Sequence, residues 1–182
     1  VTGGTSGIGI WTVIGMAKRG YRVIMPSRSQ ERGETAVKVA REHAQSDLIE
    51  AMAADLASLK SIRAFADVFK QKYDRLDVLI NNAAVLAEQR RVTEDGFEEQ
   101  FAVNHLSYFA LTNHLLDLLK TSAPARVVNV SSQLHASGQI EWENLQSERG
   151  AYYGRQVYCN TKLMNVLFTN ELARQLDGTK VT

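Results

Sequence analysis

Apolar positions along this chain switch between two periods. Ile8, Trp11, Ile14 and Met16 recur at helical spacing and predict a helix over 7–18, with Gly20 ending it. Residues 21–26 read as a strand, followed by a helix over 30–44 capped by Ser29. A short strand over 48–53 precedes a helix over 58–72, whose Leu59, Ile62, Phe65, Ala66 and Phe69 share one face. Residues 76–80 form a continuous apolar run, as a strand covered on both faces requires. A long helix is predicted over 94–120 with Thr93 as its cap. Its Phe97, Phe101, Leu106, Phe109, Leu111, Leu115, Leu116 and Leu119 exceed what one face can hold. A strand over 126–130 and a helix over 155–176 complete the pattern.

Strands alternating with helices imply an α/β protein: a doubly wound parallel sheet of Rossmann type, layered α/β/α. Composition narrows the partners. The 182 residues are 45% hydrophobic and 23% charged, which is globular, and the net charge of +1 gives no field for nucleic acid or anionic membrane. The single cysteine, Cys159, excludes a disulfide framework and a cysteine-based metal site, and fits a reducing, cytoplasmic setting. No metal is expected. No apolar run approaches the ~20 residues of a membrane span.

Three stretches carry candidate chemistry. Gly3, Gly7 and Gly9 lie between a strand end and a helix start. Such a turn lets a pyrophosphate approach backbone amides at the positive end of a helix. Their spacing differs from G-x-G-x-x-G, and a flexible loop would also be rich in glycine; the strand over 21–26 favours the phosphate reading. After that strand come Ser27 and Arg28, with no acid before Glu31. An acid there would bind the ribose of NAD, whereas an arginine suits the 2′-phosphate of NADP, so NADP(H) is expected over NAD(H); the alternative is a solvated surface arginine. Asp55 either meets an adenine edge or caps the next helix. Asn81 and Asn82 stand at a strand's carboxyl end, where α/β sheets bind ligands and where turns also use Asn-Asn.

The third stretch holds Tyr158 and Lys162, four apart and so on one helix face. A phenol titrates near ~10, too high for proton exchange at neutral pH, and a neighbouring ammonium lowers it. The pair is an acid/base unit in that reading and an ordinary amphipathic face in the other.

Taken in order, the motifs resemble the short-chain dehydrogenase/reductases over the whole chain. They are Thr2-Gly3 with Gly7-Ile8-Gly9, Asp55-Leu56, Asn81-Asn82-Ala83-Ala84, Val103-Asn104, Ser131-Ser132 and Tyr158 with Lys162. The stretch over 158–176 is most similar to the retinol-dehydrogenase-like branch, which includes relatives of protochlorophyllide reductase. The resemblance implies roles. Tyr158 is the general acid or base. Lys162 lowers its pKa and binds the nicotinamide ribose. Ser132 holds the substrate oxygen, with Ser131 the lesser candidate, and Asn104 fixes a water on a proton path. The implied cofactor site comprises Gly3, Thr5, Ser6, Gly7, Ile8, Gly9, Arg28, Asp55, Leu56, Asn82 and Ala83, with Tyr158 and Lys162. Ala84 departs from the family's usual glycine.

The family has a longer strand before the glycine turn than Val1-Thr2, and a sixth strand begins near 180. The chain therefore reads as an internal portion of one NAD(P)-binding domain, truncated at both ends. The implied function is an NADP(H)-dependent oxidoreductase acting on a carbonyl or alcohol. A homodimer through the helices over 94–120 and 155–176 would cover their second apolar faces. The alternatives are a nucleotide-binding regulatory protein without turnover, an inactive fragment of the same fold, and a sugar-nucleotide epimerase.

Overall fold

The computed structural model describes residues 1–182, which form two compact units: 1–55 with 80–83, and 56–79 with 84–182. In the first, β1 (Val23–Ser27) and β2 (Ile49–Ala53) pair in parallel, Val23 opposite Ile49 and Ser27 opposite Ala53. Val23 to Pro26 are buried without alternation, as the sheet position requires. Helices α1 (Gly7–Lys18) and α2 (Gln30–Ala44) close on these strands. Val13, Ile14 and Ala17 of α1 and Ala36, Ala40 and Ala44 of α2 pack with Val23, Met25 and Ile49. Each large side chain buried there contributes about 1.5–3 kcal/mol.

Val1 and Thr2 occupy an interior ladder position in this unit. The Val1 amine donates to the Ile24 carbonyl at 2.9 Å, and the Thr2 N–H donates to the Ile80 carbonyl at 2.9 Å. Two residues thus join β1 to the segment 80–83.

In the second unit, α3 (Leu59–Lys72) starts behind Ser58, whose hydroxyl oxygen accepts from the Ser61 N–H at 3.3 Å. The cap is Ser58 rather than Asp55. Asp95 also accepts the Leu59 N–H at 2.7 Å, and Glu94 accepts the Ser58 hydroxyl. α3 buries Ile62, Phe65, Ala66 and Phe69 and packs on α5 (Ser107–Thr121). β3 (Val78–Asn81) pairs with β4 (Arg126–Asn129). On its other side, the Val127 N–H donates to the Thr182 carbonyl at 2.8 Å, and Ala125 and Val181 form a parallel bridge. These are pairings of a doubly wound α/β fold, arranged as two two-stranded sheets, β1–β2 and β3–β4.

The long helix expected over 94–120 is corrected at its start. Residues 93–97 make a turn instead: the Thr93 N–H donates to the Phe97 carbonyl, and Gly96 has φ +84°. Val92 and Glu98 form an antiparallel bridge. The helix begins as α4 (Glu99–Phe101), capped by the Glu98 carboxylate, which accepts the N–H groups of Gln100 at 3.0 Å and Phe101 at 2.6 Å. A carboxylate satisfies two free amides and complements the helix dipole where Thr93 would satisfy one. A π-helical turn, Ala102–Leu106, then separates α4 from α5. The last helix, α6, runs Gly154–Gln175, one residue from the expected bounds at each end.

Candidate active site

In the first unit the glycine turn is built by close backbone approach. Gly3 has φ +65°, and a Cβ there would lie 2.8 Å from the Ala83 Cα. A Cβ on Gly9 would lie 2.0 Å from the Gly3 carbonyl oxygen. Neither position admits a side chain. Thr2 locks the opposite wall. Its hydroxyl oxygen accepts the N–H groups of Asn82 at 2.8 Å and Ala83 at 3.0 Å, while the Asn82 Nδ2 donates to the Thr2 carbonyl at 3.0 Å. Asn82 and Ala83 thus stand beside the turn. Ala84 is exposed with an ordinary negative φ, so its methyl group is unstrained.

Ser6 caps α1 without a side-chain hydrogen bond, so the amides of the first turn face outward. Thr5 is half-buried; Ser6, Gly7 and Ile8 are exposed around them. A cavity of about 440 Å³ lies alongside, lined by Thr5, Ser6, Ile10, Ser29, Arg32 and Thr35 among others. Arg28 is exposed at the end of β1 and is absent from that lining. Arg32 was not singled out by sequence. It is placed because the Ser29 hydroxyl oxygen accepts its N–H at 3.3 Å, and because Gly33 lets α2 approach β2, where a Cβ would meet the Ala51 Cβ at 2.9 Å. Open amides, hydroxyls and an arginine fit a phosphorylated dinucleotide, although the Glu31 carboxylate shares that lining. Asp55 is half-buried just past β2, and Leu56, the first residue of the second unit, is also half-buried.

In the second unit α6 presents Tyr158 and Lys162 on one face. Tyr158 is half-buried, while Lys162 is 1% exposed. The Lys162 Nζ donates to the Val130 carbonyl at 3.1 Å and sits over two rings, 5.4 Å from the Tyr158 centroid and 5.7 Å from that of Tyr108. Burial lowers the Lys162 pKa to about 8. Burial also pushes the Tyr158 phenol above its ordinary range, with Cys159 adding in the same direction. The phenol thus shifts in the direction opposite to the one expected from the lysine, and its leading cause is burial.

Ser131 and Ser132 follow β4. The Ser131 hydroxyl donates to the Lys162 carbonyl at 2.8 Å, so this serine braces the helix. Ser132 caps the 3₁₀ turn Gln133–Ser137, its oxygen accepting the Leu134 N–H at 3.2 Å. Of the two, Ser132 has its hydroxyl proton uncommitted to the protein. His135 Nδ1 lies 2.7 Å from the Ser132 carbonyl oxygen.

Asn104 lies fully buried in the π-turn. Its side chain makes a two-way bond with Val85, accepting the N–H at 2.7 Å and donating to the carbonyl at 2.8 Å. The same Nδ2 reaches the Thr161 hydroxyl oxygen at 3.3 Å. The second unit thus brings Asn104, Ser131, Ser132, Tyr158 and Lys162 to one end of α6. Sequence reasoning did not single out Thr161 or Asn165, which flank Lys162 and are buried. Polar residues on the inward face of α6 were the available signal.

The model for short chain dehydrogenase matches residues 1–182. Human retinol dehydrogenase 13 is 47% identical over 182 residues, covering 100% of this chain and 55% of that protein. Human retinol dehydrogenase 12 is also 47% identical, with 57% of its length covered. The chain spans little more than half of these relatives. Among solved structures, an uncharacterised protein from Mycobacterium paratuberculosis superposes with a TM-score of 0.87 at 41% identity, covering 99% of this chain and 63% of that one. The Pseudomonas aeruginosa RhlG/NADP active-site complex gives a TM-score of 0.79 at 27% identity, with 100% and 68% covered.

Proposed function

The chain belongs to the short-chain dehydrogenase family, and from that footing we propose that the protein is an NADP(H)-dependent oxidoreductase that interconverts a carbonyl and an alcohol. The names of its retinol dehydrogenase relatives point to a lipophilic alcohol or aldehyde as substrate. The observation that carries the reading is the buried Lys162 ammonium, held on the Val130 carbonyl over the Tyr158 ring. A buried cation costs stability, and such sites are commonly functional.

The nicotinamide, when bound, supplies or accepts the hydride. The protein's part is placement and proton transfer. Gly3, Thr5, Ser6, Gly7, Ile8 and Gly9 take the diphosphate, with Asn82 and Ala83 beside the turn. Asp55 and Leu56 meet the adenine end. Arg28 and Arg32 take the 2′-phosphate, which favours NADP(H) over NAD(H). Ser132 donates to the substrate oxygen through its free hydroxyl proton. Tyr158 gives its phenolic proton to that oxygen in reduction and takes it back in oxidation. Lys162, holding a proton below a pH of about 8, stabilises the phenolate left behind.

Replacing Tyr158 by Phe in the protein expressed from its complete reading frame tests this. Turnover of aldehydes with NADPH should fall by at least about 10³-fold, since the proton donor is lost, while NADPH binding persists. Retained turnover would overturn the mechanism. A homodimer through Glu99–Thr121 and Gly154–Gln175 follows from the same reading, because Phe109 and Leu167 each remain 49% exposed there. Phe109→Asp should then yield monomers in sedimentation, and an unchanged sedimentation coefficient would remove the dimer.

A further inference from the structure

The π-turn Ala102–Leu106 is wider than an α-turn; the Ser107 N–H reaches back five residues to the Ala102 carbonyl. Side chains serve the carbonyls in between. The Ser107 hydroxyl donates to the Val103 carbonyl at 2.7 Å. The next carbonyl, that of Asn104, accepts from Asn165 Nδ2 at 2.8 Å. Asn165 belongs to α6, three residues past Lys162, and is fully buried. Its Oδ1 lies 3.1 Å from His105 Nδ1. The bond to Asn104 assigns Oδ1 the acceptor role, so His105 donates.

Asn104 is thereby gripped from both sides of Lys162. Thr161 takes its side chain and Asn165 takes its main-chain carbonyl, while the Thr161 hydroxyl donates to the Tyr158 carbonyl at 2.8 Å. Asn104 in turn holds Val85 by the two-way bond. Asn104 thus joins the Val85 segment, the π-turn and the tyrosine–lysine helix.

We propose that Asn165 is a positioning residue: through the Asn104 carbonyl it sets the register between the π-turn and the stretch of α6 that carries Tyr158 and Lys162. The amide is suited to this because it donates to one neighbour and accepts from the other. An apolar residue of the same branched shape leaves the Asn104 carbonyl and the His105 N–H without partners in a buried place. The inference rests on Tyr158 and Lys162 being the proton-transfer pair.

The test uses two variants of the full-length protein. Asn165→Leu keeps the branched shape and the number of heavy atoms and removes both hydrogen bonds. Leu172→Ala, at a buried apolar position of the same helix, weakens α6 outside the network. Asn165→Leu should lower kcat at least about tenfold with the KM for NADPH within twofold of wild type. Leu172→Ala should lower the melting temperature at least as much and leave kcat within twofold. Unchanged kcat in Asn165→Leu, or an equal loss in both variants, overturns the proposal. A wild-type protein without NADP(H)-linked turnover would sink the functional reading instead. In that case amide exchange decides: faster exchange at 102–107 and 158–162 in Asn165→Leu alone upholds the positioning role, and equal exchange in both variants removes it.

Discussion

The Lys162 Nζ lies 5.4 Å from the centroid of the Tyr158 ring and donates to the Val130 carbonyl at 3.1 Å. A lysine so buried is a liability for stability. Its pKa falls from 10.5 to about 8, so folding works against protonation by roughly 3 kcal/mol at neutral pH. The sign follows from proton counting. Between pH 8 and 10.5 the unfolded chain holds a proton that the native chain has released, so stability rises with pH across that window.

Lys162→Met should therefore behave oppositely in two assays. Chemical denaturation should show stability at pH 7 equal to or above wild type, by up to about 2 kcal/mol, with the rise between pH 8 and 10.5 abolished. Turnover should fall by about 10²-fold or more. A variant that is less stable at pH 7 and keeps the wild-type slope would show that burial of the ammonium costs little.

The glycines of the first unit separate by what surrounds them. Gly9→Ala places a methyl 2.0 Å from the Gly3 carbonyl oxygen, a backbone atom that cannot swing aside. It should destabilise the protein by about 2–3 kcal/mol and weaken NADPH binding measured by fluorescence. Gly15→Ala, inside α1, meets only the tip of Arg19 at 3.6 Å. It should stabilise by about 0.5–1 kcal/mol, as alanine restricts the unfolded chain. Equal melting temperatures for the two variants would contradict the turn geometry.

How much of this was legible in the sequence depended on the range of the interaction. The bounds of α1 and α2 and the cap at Ser29 follow from local spacing and capping chemistry, and they agree with the structure. The start of α4 does not. Phe97 continues the helical spacing of Phe101, but Glu98 accepts from Tyr152 across 54 positions, and its N–H donates to the Gln146 Oε1 from 48 away, contacts no local pattern reveals. The π-turn was equally invisible, since its carbonyls are served by Ser107 and by the distant Asn165. Asn104, Ser132, Tyr158 and Lys162 were singled out because their motifs occur together in the order of the family the chain resembles. The direction of the Tyr158 shift was not legible, because burial, its leading cause, is a property of the fold.

Cofactor choice is tested at the end of β1. Ser27→Asp with Arg28→Ser introduces the acid that suits a ribose hydroxyl and removes a phosphate partner. The KM for NADPH should rise about tenfold or more, worth the ~1.5–3 kcal/mol of a charge-assisted bond, while that for NADH falls. Arg32→Ser alone should raise the KM for NADPH without improving NADH. Unchanged NADPH kinetics in both variants would count against the two arginines.

Glu98 offers a prediction away from the chemistry. It is fully buried and acceptor-only. Its Oε1 takes the Gln100 N–H at 3.0 Å and the Tyr152 hydroxyl at 2.8 Å, and Oε2 takes the Phe101 N–H at 2.6 Å. Gln100 completes the set, its Nε2 donating to the Gly154 carbonyl at 2.9 Å and to the Tyr152 hydroxyl oxygen at 2.7 Å. The network fastens the first residue of α6 to the start of α4. Glu98→Gln turns one oxygen into a donor facing other donors, and no rotation of the amide satisfies all three. It should cost about 2–3 kcal/mol, more than Tyr152→Phe, which removes one hydroxyl and leaves the carboxylate with its two amides. Urea denaturation of both variants gives the order; a larger loss for Tyr152→Phe would mean that the hydroxyl, not the carboxylate, holds the two helix starts together.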